Sequence, residues 1–159
     1  MKLLVPVDGS NASINAVKKA LELSKKYNFS IKLISVVPEK SSVYRKHENA
    51  WKGVESSPIS DSEELEKQLE KKIKKNAERL LNAIVSKLDF RGIKVEAQVL
   101  VGEPYAKILE TARNDKVNMI VMSNRGFSKI KRFFVGSVTQ RVIGEAPCPV
   151  LVVNTEFEP

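Results

Sequence analysis

Two glycines and a hydroxyl in the last third of the chain carry the chemistry this sequence offers. Nine residues lie between Gly126 and Gly136, and Ser137 follows the second glycine directly. Glycine has no Cβ, so a ligand can come close to its backbone. Ser137 stands where a helix begins, with Val138, Val142 and Ile143 at helical spacing behind it. The first turn of a helix presents unpaired N–H groups and the positive end of a dipole. An anion suits such a place, and phosphate is the usual one. Arg125, Lys129, Lys131 and Arg132 crowd the same stretch. Taken singly, these residues also serve as ordinary turn and cap residues, since serine is favoured at a helix start in any protein.

Such a site needs a scaffold, and the chain supplies alternating strands and helices. Lys2–Val7 is a short buried run rich in Leu and Val, closed by Asp8-Gly9-Ser10. Pro6 near its end suits a point where pairing stops. Ser10 or Asn11 caps a helix with an apolar stripe through Ile14, Val17, Ala20, Leu21 and Leu23. A second strand runs from Ser30 to Val37 and is stopped by Pro38. Residues 39–60 lack periodicity and read as a long loop holding Tyr44, His47 and Trp51. Ser60–Leu88 is a long amphipathic helix with Leu65, Leu69, Ile73, Ala77, Leu80, Ile84 and Leu88 along one side. Ile93–Leu100 alternates like an edge strand with one wet face. Pro104 opens a helix that turns Ile108, Leu109 and Ala112 inward. Asn118–Met122, apolar after its first residue, is a central strand, Ser137–Glu145 the last helix and Val150–Asn154 the last strand. Strict alternation predicts a mostly parallel sheet covered on both faces, with right-handed crossovers. Ligands of such sheets lie beyond the carboxyl ends of the strands, where the strand order reverses.

Composition bounds the rest. The 159 residues suit one domain, 1–159, with an apolar share of 42% and a charged share of 29%. No apolar run approaches the ~20 residues of a membrane helix, and Asp8 comes too early for a signal peptide. The single Cys148 forms no internal disulfide and no Cys/His cluster suggests zinc, so the cytoplasm is the natural compartment. The net charge of +8 lies largely on the lysine-rich helix among glutamates, which reads as a solvated face. No Walker A loop and no Gly-x-Ser-x-Gly elbow is present, and the one histidine sits in the long loop, so no general base stands beside a nucleophile.

The stretch from Ile120 to Val150 resembles the ATP-binding branch of the universal stress protein family. That branch carries Gly-x-x-Gly, nine residues, then Gly-Ser or Gly-Thr. Gly126, Gly136 and Ser137 match it, Ser123 stands where the first glycine would be, and Ala146-Pro147-Cys148-Pro149-Val150 follows. The likeness extends over nearly the whole chain. It implies a Rossmann-like open twisted sheet of five parallel strands in the order 3-2-1-4-5, with helices on both faces. It also implies ATP, with Mg²⁺, as ligand. The phosphates would meet backbone N–H groups of Gly126, Phe127, Ser128 and Lys129 and of Ser137, Val138 and Thr139, with the Ser137 and Thr139 hydroxyls adding bonds. Pro6 and Val36 would line the adenine, with Val7, Met122 and Arg125 around the same site and the Ser123 hydroxyl near ribose or phosphate. Asp8 would reach the nucleoside or the metal through water, or else only favour the first helix dipole. A side chain at 136 would block the ligand and strain the turn. The family resemblance further implies a nucleotide-dependent sensor or regulator rather than a metabolic enzyme, slow ATP hydrolysis being an alternative. A nucleic-acid-binding or adaptor protein without nucleotide is the other alternative, with no recognition motif behind it. The last strand, 149–154, would pair with its copy to make a homodimer, unless the acidic tail 156–159 covers that edge.

Overall fold

The protein is described by a computed structural model, which covers residues 1–39, 60–125 and 135–154, without the side chains of 60–66. The elements are β1 Lys2–Pro6, α1 Asn11–Tyr27, β2 Ser30–Val37, α2 Ser60–Lys87, β3 Val95–Val101, α3 Pro104–Asn114, β4 Met119–Ser123, α4 Ser137–Glu145 and β5 Val150–Val153. The five strands form one parallel sheet in the order β3-β2-β1-β4-β5. This is the order the family resemblance implies.

Successive side chains of each strand turn to opposite faces, and both faces are packed. Leu3 and Val5 of β1, Val7 just beyond it, and Ile31 and Leu33 of β2 point to one face and meet α1 and α2. Leu4, Ile34, Ile120 and Met122 point to the other, where Ile108, Leu109 and Ala112 of α3 and Val142 of α4 cover them. Fully apolar strands are what a sheet covered on both faces requires.

The helix ends follow their local chemistry. Ser10 caps α1, its hydroxyl accepting from the Ser13 N–H, and Asn28 ends that helix in the left-handed region at φ 56°. Pro104 opens α3, where a missing N–H costs nothing. The apolar stripes differ in detail from expectation. On α1 the deepest residues are Ala16, Val17, Ala20 and Leu21, while Ile14 and Leu23 only flank the core. On α2 the buried residues are Ala77, Leu81 and Ile84, whereas Leu69 is 46% exposed. Periodicity names the side of a helix that is apolar, but not how far along it the sheet extends. Loop residues 40–59 and the tail 155–159 lie outside the described residues.

Candidate functional site

The site opens where β1 reaches Pro6, a residue with no N–H to pair. In a parallel strand the N–H and C=O of one residue turn to the same neighbour, and the direction alternates along the chain. The Lys2 carbonyl accepts from the Asn118 N–H, on the β4 side, and the Val7 N–H donates to the Ile34 carbonyl of β2. Pro6 therefore faces β4, and proline has no hydrogen to give. Accordingly β1 pairs with β2 as far as Pro6–Ile34, but with β4 only as far as Leu4–Ile120. Beyond that point the two central strands part. The crossovers from β1 and β4 also lie on opposite faces here, so chemistry and topology place a crevice together.

A cavity of about 450 Å³ occupies that crevice. Pro6, Val7 and Asp8 from the end of β1, Val36 from β2, Met122, Ser123 and Arg125 from the end of β4, and Gly136, Ser137, Val138 and Thr139 from the start of α4 all line it. These are expected site residues drawn from four separate segments. Gly126, Phe127, Ser128 and Lys129, the other expected ones, lie outside the described residues. The reading missed Ser13, Ile34, Pro104, Ile108 and Val135, which line the cavity as well. The sequence carried a signal for Ile108, an inward-facing residue on the first turns of α3. For Ser13 it carried only the first turn of α1.

The lining combines apolar and polar groups. Pro6, Val36, Pro104 and Ile108 make an apolar slot between the strand ends and α3. Arg125, Ser137 and Thr139 bring polar groups to the lining from the end of β4 and the start of α4. Gly136 caps α4 and supplies no side-chain acceptor, so the opening N–H groups of this helix have no side-chain cap among the described residues. Here the expectation of a strained turn is corrected. Gly136 has φ −62°, ordinary for any residue. A Cβ there would meet the Asn124 carbonyl oxygen at 3.5 Å and the Arg125 Cα at 3.6 Å, which is normal contact. Among the described residues nothing demands glycine at 136.

Two expected ligand groups have other partners. The Thr139 hydroxyl donates to the Ser123 carbonyl at 3.0 Å and the residue is 4% exposed. A hydroxyl has one hydrogen, so Thr139 has none left for a phosphate. The Ser123 hydroxyl likewise donates to the Arg125 carbonyl and holds the turn after β4. The Cβ that replaces glycine at 123 is thus accommodated in the wall. Asp8 is tied to the start of α1 and also borders the cavity. Its Oδ1 accepts from the Ser10 N–H at 2.9 Å and the Ser10 hydroxyl at 2.6 Å, which fixes the cap of α1. Its side chain also lines the cavity, with no bond to Oδ2 among the described residues. Cys148 packs beside the second core cluster, and burial pushes its thiol up, away from the reactive thiolate. Among the described residues no cluster of three or more His, Cys, Asp or Glu could hold a metal ion. No described helix is long and apolar enough to cross a membrane.

Known proteins are similar to this chain in sequence and fold. Universal stress protein MJ0531 of Methanocaldococcus jannaschii is 33% identical over 153 residues, covering 96% of this chain and 81% of that protein. The solved structure of MJ0577 from the same organism superposes with a TM-score of 0.77 at 27% identity, over 99% of this chain and 97% of that one. An Arabidopsis thaliana universal stress protein solved with AMP bound has a TM-score of 0.61 at 20% identity, over 97% and 91%. The sequence profile described as the universal stress protein family matches residues 1–154, and with the sheet order and the crevice at its switch point, the chain belongs to that family.

Proposed function

We propose that this protein binds an adenine nucleotide, ATP with Mg²⁺, in the crevice between β1 and β4, and works in the cytoplasm as a nucleotide-dependent sensor or regulator rather than a metabolic enzyme. The observation that carries the reading is the opening of α4. A helix start without a side-chain cap borders a cavity that Pro6, Val36, Pro104 and Ile108 also line. The helix end suits phosphate, by its free N–H groups and its dipole. The apolar slot of Pro6, Val36, Pro104 and Ile108 suits a purine ring. The AMP-bound relative, at its low identity, speaks for the shared fold; the cavity speaks for the ligand. Asp8 is the carboxylate that would face a phosphate-bound Mg²⁺ through water, and that ion would neutralise phosphate charge.

Calorimetry with ATP and GTP at two salt concentrations tests this. The expected result is ATP binding that persists at moderate salt and exceeds GTP binding. No heat with ATP up to millimolar concentration, or affinity only for DNA or RNA that falls steeply with salt, would falsify the reading.

The proposal includes a homodimer through residues 149–154. β5 ends the sheet and pairs only with β4 there, and Val150, Leu151 and Val152 remain partly exposed. An apolar edge without lysine invites pairing with a second copy, and a two-fold contact closes on itself. Light scattering should give a dimer for the native chain and a monomer for Val152→Lys; a native monomer at tens of micromolar would exclude it.

A further inference from the structure

The first turn of α4 is fastened to the end of β4 by side chain as well as backbone. The Gly136 N–H donates to the Asn124 carbonyl at 2.8 Å. The Thr139 hydroxyl donates to the Ser123 carbonyl, sixteen residues back, at 3.0 Å. The Gln140 N–H donates to the Gly136 carbonyl at 2.9 Å, the first regular bond of the helix. Between these fixed points lie the N–H groups of Ser137, Val138 and Thr139, which the cap residue leaves without a side-chain acceptor.

We propose that Thr139 is a positioning residue of the nucleotide site. Its buried hydroxyl does not touch phosphate. It holds the opening N–H groups of α4 at a set distance from the end of β4, and so its effect falls on the phosphates and not on the base. This rests on the nucleotide reading above. Two features separate such a role from plain helix anchoring. The bond joins two segments that both line the cavity, the end of β4 at Ser123 and the first turn of α4 at Thr139. The apolar slot is built by other residues, Pro6, Val36, Pro104 and Ile108, none of which bonds to Thr139.

The experiment compares the native protein with Thr139→Val, which keeps the shape and removes the donor, and Thr139→Ser, which keeps the donor. Calorimetric affinities are measured for ATP with Mg²⁺, for AMP and for adenosine. Amide exchange at Gly136 is followed in the ligand-free protein. Thr139→Val should weaken ATP roughly five- to tenfold, the range of one lost hydrogen bond, and leave adenosine within about twofold. Exchange at Gly136 should quicken, and Thr139→Ser should restore both. An equal loss for ATP and adenosine, or no rescue by serine, overturns the proposal in favour of a structural threonine. ATP bound by the native protein and equally well by Thr139→Val overturns it alone. Native protein that binds no adenine nucleotide overturns it together with the nucleotide reading.

Discussion

The two ends of one sheet are built to opposite plans. At the amino ends of the strands, β1 and β4 are tied together. The Asn118 N–H donates to the Lys2 carbonyl at 2.9 Å, and its side-chain oxygen accepts from the Lys2 N–H at 2.7 Å. Asp115 draws in Lys32 at 2.6 Å and Lys2 at 3.7 Å. At the carboxyl ends the same two strands separate after Leu4 and Ile120, and a cavity opens. One end uses its polar groups on itself, while the other leaves a helix start uncapped. The difference teaches where stability and ligand binding reside in a parallel sheet: rigidity at one end permits a gap at the other. Changes at the two ends should therefore read out in different measurements.

The largest effect is expected from Ser137→Asp. Ser137 is the exposed first residue of α4. A carboxylate there suits the helix dipole, so thermal stability should hold or rise by a few tenths of a kcal/mol. The same carboxylate would meet the nucleotide phosphates, and ATP affinity should fall roughly a hundredfold or more. Calorimetry and thermal melts on one sample decide it. A fall in both, or in neither, would remove phosphate from the α4 start.

The opposite pattern is expected at the tied end. Asp115→Asn leaves the Lys32 ammonium, whose side chain is 12% exposed, without its charged partner. Stability should drop by about 1–3 kcal/mol, with ATP affinity unchanged. The pH dependence has a definite sign. The hydrogen bond from Lys32 holds the Asp115 carboxyl below its usual range against the opposing effect of burial. A depressed carboxyl stabilises the fold above its unfolded value of about 3.9 and loses that contribution as pH falls through the folded one. Urea unfolding from neutral pH downward should show a gentler acid decline in Asp115→Asn than in the native protein. Parallel declines would mean that other carboxylates carry the acid sensitivity.

Much of this contrast is legible in the sequence, for particular physical reasons. Val121 and its apolar neighbours could only be a central strand, and the bounds Ser137–Glu145 emerge from the glycine and the spacing of Val138 and Val142. What escapes is what depends on distance along the chain. Nothing near Thr139 announces that its hydroxyl reaches Ser123, because hydrogen bonds between elements follow from packing and not from local pattern. Ile108 was readable as an inward residue, but not as a cavity wall, since both faces of the sheet bury such residues alike. Leu69 keeps the helical period yet is 46% exposed among the described residues, because periodicity marks a side of α2 and not the length of it that the sheet covers. The ion cluster of Lys2, Lys32 and Asp115 joins three segments far apart in sequence, so its members read there only as ordinary surface charges.

The smallest effect is expected at Pro6, where the two plans meet. The register of Leu4 with Ile120 sets the Val121 carbonyl as the acceptor that a hydrogen on residue 6 would reach. Pro6→Ala supplies that hydrogen. One more rung should form between β1 and β4, and the mouth of the crevice should narrow. The gain is offset by the greater freedom of the unfolded chain once proline is gone, roughly 0.4–1 kcal/mol. A net hydrogen bond contributes about as much, so stability should change by less than about 1 kcal/mol. Affinity for ATP and for adenosine should both fall, by roughly two- to fivefold on the scale of one small lost contact, since Pro6 lines the apolar slot. That shared loss distinguishes a wall residue from Ser137, whose substitution falls on phosphate. Amide exchange gives the direct readout. The new N–H at position 6 should be protected to the same degree as that of Leu4. A rapidly exchanging amide with unchanged adenosine binding would show that the crevice is held open by the packing of α3 and α4, and not by the missing hydrogen of one proline.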